Sequence, residues 1–166
     1  TASSERPVKA AQMLDAVTTR GALASDRGPH DWQVVSTHDN TRGDGINLVC
    51  QARRFADPQG ETTWVRRLQT GEQPRRQITQ TVEVSTTPGA TVQAFRIAAG
   101  WYSGCTTPGV QLGRAYDIEG VGDDAKAYRL RLPGNDRGSY FVLLARKGTT
   151  LTTIGLRNRQ GLDQPV

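Results

Sequence analysis

Between residues 87 and 105 the chain reads TPGATVQAFRIAAGWYSGC, and its apolar positions recur with helical spacing. Val92, Phe95, Ala99 and Tyr102 fall at i, i+3, i+7 and i+10. Ala94, Ala98, Trp101 and Cys105 follow on the neighbouring stripe. Together they form the broad apolar face of a helix lying on a core. Thr87 followed by Pro88 fits an N-cap with proline at the first helical position. Gly100 and Gly104 loosen the last turn. Trp101 and Tyr102 are read as core packing.

Elsewhere one stretch alternates with a period of two. Residues 77–85 place Ile78, Val82 and Val84 on one face and Thr79, Thr81 and Glu83 on the other, with Gln80 intruding on the apolar side. Further strands are expected over 32–36, 48–55, 62–69, 110–119, 127–132, 139–146 and 149–156. The turns are Asp57-Pro58-Gln59-Gly60, the segment 120–124 and a tight hairpin at Lys147-Gly148. A short helix is expected over 7–17, a polar connection over 21–31 and a loop over 38–45, with residues 1–6 a disordered leader. Strands joined by short turns pair antiparallel. The prediction is therefore an α+β domain over 7–166. An antiparallel sheet packs against one long central crossover helix and a short N-terminal helix, with one disulfide.

At 166 residues one domain can bury a core unaided. No stretch approaches membrane-spanning length, and TASSERPVKAAQ is not a signal peptide. A targeting or anchoring segment is expected to lie outside this sequence. The net charge of +5 is almost wholly arginine, with lysine only at Lys9, Lys126 and Lys147. The basic residues are scattered rather than gathered in one run, so nucleic acid is not an expected partner.

Cys50 lies in the strand-like run 46–50, and Cys105 closes the central helix. A disulfide between them would tie strand to helix and close a loop worth about 4 kcal/mol by chain entropy. Zinc needs about four ligands at short spacing, and no CxxC or clustered histidine is present. A disulfide is the favoured reading, which places the chain in an oxidising, extracytoplasmic compartment, in the cell envelope or secreted.

No motif demands catalysis or a cofactor. His30-Asp31 and His38-Asp39 lack metal-site spacing, and 39–45 lacks the alternating oxygen ligands of a calcium loop. Residues 120–125 nominally fit G-x-G-x-x-A, but a strand rather than a helix is expected next, and two aspartates would repel phosphate. Ser103 lacks the glycines of a nucleophile elbow. The pairs Arg53-Arg54, Arg66-Arg67 and Arg75-Arg76 each send one side chain to either side of a strand. Arg54, Arg66 and Arg75, beside Trp32 and Trp64, are the candidate ligand-binding stripe, suited to an anionic ligand.

Cys50 followed by strands, the helix ending Trp101-Tyr102-Ser103-Gly104-Cys105, the turn 121–125 and the hairpin 144–150 together resemble the PknH-like extracellular sensor domain. That family is actinobacterial, on the outer side of membrane-spanning Ser/Thr kinases and in lipoproteins. The likeness runs from about Gln12 to Gly155. It implies a compact domain with a ligand cleft, the pair Cys50–Cys105 as the family's disulfide, and no catalytic residues. It departs in lacking a second, C-terminal disulfide.

The expectation is a non-enzymatic, extracytoplasmic ligand-binding or sensor domain, tethered to a membrane only through an anchor and active in signal transduction. Its partner would be an unknown small molecule or an anionic cell-envelope component, with a possible homodimer and no metal or cofactor. The alternatives are a structural or partner-binding cell-envelope lipoprotein and, third, a secreted hydrolase.

Overall fold

The computed structural model describes residues 13–25, 29–39, 50, 63–72, 75–132 and 139–157. Within them lie α1 (Ala16–Ala22), β1 (Trp32–Asp39), β2 (Thr63–Thr70), β3 (Gln77–Val84), α2 (Pro88–Ser103), β4 (Gln111–Ile118), β5 (Asp124–Arg131), β6 (Ser139–Lys147) and β7 (Thr150–Arg157). The seven strands form one sheet in the order β1-β2-β3-β7-β6-β5-β4, and every neighbouring pair is antiparallel. The chain meanders through β1 to β3, crosses to the far edge on α2, then meanders back until β7 docks on β3. Four antiparallel steps separate β3 from β4, so those two strands run the same way. Only a long crossover can join strands so related, and α2 is that crossover.

The side-chain alternation of the register gives the sheet two faces. Val65, Thr81, Thr153 and Leu144 share one face, with Val142, Tyr128 and Leu130. Phe95, Ala98 and Tyr102 of α2 pack there, in one cluster with Val65, Tyr128, Leu130, Tyr140, Val142, Leu144 and Leu151. The opposite face carries Trp32, Leu68, Ile78, Ile154 and Leu156. Leu14, Ala16 and Leu23, from α1 and its flanks, pack against these. The two helices therefore cover opposite faces of the sheet.

The N-terminal helix lies later than its expected place over 7–17. Asp15 sets its start, the carboxylate accepting from the Thr18 N–H at 2.7 Å as an N-cap. The helix then runs through Gly21 into the segment expected to be connection. Residues 7–12 lie outside the described residues, as does the expected leader over 1–6. β1 extends beyond 36 to include His38 and Asp39, which the composition places in a loop. The strand expected over 48–55 lies outside the described residues except for Cys50. Cys50 sits in a turn at φ 71°, not in extended backbone. Its N–H donates to Thr107 Oγ1 at 3.3 Å, and its sulfur is bonded to Cys105, so this left-handed residue is held on both sides.

For α2 the expected cap is found: Thr87 Oγ1 accepts from the Ala90 N–H at 3.1 Å, with Pro88 at the first helical position. Among the described residues no helix is long and apolar enough to cross a membrane.

Candidate cleft between helix α2 and the β4–β5 edge

Only part of the apolar face of α2 is covered by the sheet. Thr91, Phe95, Ala98 and Tyr102 are buried. The adjoining stripe of Val92, Arg96, Ala99, Gly100 and Ser103 is left facing a groove of about 540 Å³. Across the groove stand Ala115, Tyr116 and Asp117 of β4, Asp124, Lys126 and Tyr128 of β5, and Arg146 of β6. β4 is one of the two edge strands of the described sheet and nearly all of it is exposed, so the groove is open along that side.

Two aromatic rings make the floor. Phe95 and Tyr128 are both buried, and Tyr102 stacks behind Tyr128 at a centroid distance of 5.4 Å. The charged groups stand on the walls. Lys126 Nζ lies 3.6 Å from Asp117 Oδ1; this pair is largely open to solvent, at 39% and 86% exposure. Such an exposed pair contributes little to stability. The Arg146 guanidinium lies over the Phe95 ring, 5.8 Å from its centroid. Its Nε is closed off from water and has no hydrogen-bond partner among the described residues. Asp124 is the direct cross-strand neighbour of Arg146. Burial raises the Tyr128 hydroxyl above its ordinary pKa, and the charges of Asp117 and Asp124 push the same way.

The segment 120–124 is a turn, as its composition predicts, and it is tied to the strand that carries Arg146. Asp123 N–H donates to the Arg146 carbonyl at 2.8 Å, and Asp123 Oδ2 accepts from Gly148 N–H at 2.7 Å. Two of the charged residues on this wall, Asp124 and Arg146, are thereby set from one bonded corner.

The residues proposed from sequence occupy the other half of the sheet. Trp32 and Arg66 point to the α1 face. Trp32 is only 1% exposed and belongs to the core. Arg66 Nε donates to Thr37 Oγ1 at 2.8 Å and its Nη1 to the Leu14 carbonyl at 3.0 Å, which makes it a strut between sheet and N-terminal segment. Trp64 is half-buried on the same face, opposite Asp39. Arg75 is exposed and precedes β3. Its neighbour Arg76 is the arginine that meets Trp32, 5.3 Å above the ring. Arg54 lies outside the described residues. The stripe is not assembled as one line by those of its members that are described.

The histidines are likewise engaged locally. His30 Nε2 bonds the Leu23 carbonyl at 2.8 Å, and His38 Nδ1 the Asp39 carbonyl at 2.7 Å. Among the described residues no group of three metal-ligating side chains occurs. Ser103, the one serine on the described lining, donates to the Ala99 carbonyl at 2.6 Å.

Sequence reasoning missed Arg96, Asp117, Asp124, Lys126 and Arg146. A signal was present on β5, where Asp124, Lys126 and Tyr128 alternate with Ala125 and Ala127: one face carries large and charged groups, the other only methyls. No family profile, curated protein or solved structure matches the chain.

Proposed function

We propose that this chain is the ligand-binding part of an extracytoplasmic sensor, tethered to a membrane through an anchor outside the sequence, and that it captures a small molecule without transforming it. The observation that carries this reading is the groove between α2 and the β4–β5 edge. At about 540 Å³ it falls in the size range of small-molecule sites, and it joins an aromatic floor to a few converging charges. The Cys50–Cys105 disulfide fits an oxidising compartment. It also pins the end of the helix that forms one wall, so a ligand pressing on α2 acts on an element held at its C-terminus. A binding cleft is also what the resemblance to PknH-like sensor domains implies.

Gly100 offers a test. It lines the groove, and a Cβ built there meets nothing within 4 Å. Gly100→Phe therefore fills the groove without a backbone collision. Soluble cell-wall fragments and short glycolipids are titrated into both proteins by calorimetry. The expected result is saturable binding to wild type and none to Gly100→Phe. Equal binding to both would remove the groove from the function.

A second reading rests on β4. Its outer edge is unpaired among the described strands and its residues are exposed, an arrangement that receives a partner's strand. The chain would then be a cell-envelope docking protein. Leu112→Lys, a charge placed on exposed β4 outside the groove lining, would weaken partner capture under that reading and spare small-molecule binding.

A further inference from the structure

We infer that the ligand of the α2–β4 groove carries an anionic head of carboxylate or sulfonate type, held by Arg146, on a flat apolar body that lies over Phe95 and Tyr128. The inference rests on the proposed binding role of the groove and adds the ligand's charge and shape. Among the described lining residues, Arg96, Lys126 and Arg146 stand against Asp117 and Asp124, three positive groups against two negative. These cations are not equivalent. Lys126 has Asp117 beside it, and Arg96 is exposed. Arg146 is half-buried on a central strand. No ion pair or side-chain hydrogen bond joins it to a described residue, and its Nε is shut from water without an acceptor.

A guanidinium keeps its charge at any ordinary pH and offers only donors. In a site partly closed to water it gains most from an anion, whose planar pair of oxygens matches its fork of N–H groups. The Phe95 ring lies against the guanidinium on one side, which limits the directions from which such an anion can approach. Below and beside the charge are the rings of Phe95 and Tyr128 and the small side of α2 at Ala99 and Gly100, a surface that fits a flat apolar group. Asp124, across the strand from Arg146, disfavours a second negative charge, so the head is a monoanion rather than a phosphate dianion.

Two dyes of nearly the same body separate these terms: anilinonaphthalene sulfonate, a monoanion, and N-phenylnaphthylamine, which is neutral. Fluorescence titrations use wild type, Arg146→Gln, Gly100→Phe and Arg129→Gln, an exposed control outside the groove. The expected result is that Arg146→Gln loses about tenfold in affinity for the anion, as removal of a charge-assisted contact does, and less than about twofold for the neutral dye. Arg129→Gln matches wild type and Gly100→Phe binds neither dye. If Arg146→Gln keeps its affinity for the anion while Gly100→Phe abolishes both, the groove stands and the anionic head is overturned. Binding of both dyes to Gly100→Phe overturns the groove itself, and the inference with it. Should Arg146→Gln fail to fold by its melting curve, Arg146→Lys keeps the charge but not the fork. A several-fold loss for the anion alone then supports the inference, and no loss overturns it.

Discussion

The ring of Tyr102 on α2 stacks on that of Tyr128 on β5, with centroids 5.4 Å apart and planes inclined by 29°. Tyr128 also lines the groove, so one stack joins the position of the crossover helix to the floor of the candidate site. Truncating Tyr102 removes a buried ring and leaves a cavity between helix and sheet. Tyr102→Ala is expected to cost about 3–5 kcal/mol in urea unfolding, as large-to-small aromatic changes in cores do. A loss below about 1 kcal/mol would mean that the helix is held elsewhere.

The same tyrosines set an alkaline limit. Burial raises the hydroxyls of Tyr102, Tyr140 and Tyr128 above the ordinary value of about 10. The folded state therefore binds these protons more tightly than the unfolded chain. Their contribution to stability is complete below about pH 10 and is lost as the pH rises through the raised folded values. Melting temperature is expected to fall steeply above that point, with tyrosinate absorbance appearing together with loss of structure. Early ionisation in a protein that stays folded would contradict it.

Much of the fold is legible because β3 alternates with a period of two, turn residues bound several of the strands, and α2 carries both a cap and an apolar stripe. The N-terminal helix is a different matter. Asp15 marks the start of α1 by a side-chain bond to Thr18, yet the seven residues AVTTRGA contain two threonines, a valine and a glycine, none of them strong helix formers. Tertiary contact of Leu14, Ala16 and Leu23 with Trp32, Leu68 and Ile78 decides that helix, and no local pattern announces it. The groove is hidden for a similar reason. Val92 and Ala99 read as core residues on a helical wheel, and only the fact that the β4 edge stands clear of α2 leaves them lining open space. Arginine doublets point to the half of the sheet away from the groove, and adjacency in sequence says nothing about which guanidinium finds an acceptor.

Arg66 provides the contrast with Arg146. Its bonds to Thr37 and to the Leu14 carbonyl make it part of the scaffold on the face opposite the groove. Arg66→Ala is expected to lower stability by about 1–3 kcal/mol, since it leaves two part-buried acceptors unmet, and to leave dye or ligand affinity unchanged. Lost binding in a protein of normal stability would return Arg66 to the site.

The disulfide joins residues 55 apart in sequence, and both sulfurs adjoin the α2 core. Cys50→Ser with Cys105→Ser is expected to cost about 4 kcal/mol, from the loop entropy returned to the unfolded chain. Thermal melts with and without reductant check this. Titration of the native, unreduced protein should find no reactive thiol, and reactive thiols there would undo the compartment assignment as well.

Gly122 is the residue on which the charged wall depends. Its φ is +58°, a conformation that residues with a Cβ rarely adopt, and a Cβ built there collides with the carbonyl oxygen of Arg146. That oxygen already accepts the Asp123 N–H, so it cannot move aside without breaking the corner that holds Asp124 beside Arg146. Gly148 has the same φ but nothing within 4 Å of its Cβ position, so substitution there carries only the backbone strain. Gly122→Ala is therefore expected to destabilise the protein by more than Gly148→Ala, with the second costing about 1 kcal/mol. It is also expected to weaken binding of the anionic dye more than that of the neutral one, because the displaced carbonyl belongs to Arg146 itself. Paired urea melts and dye titrations of the two variants measure both effects. Equal costs in stability, with unchanged dye preference, would show that the corner does not position the wall.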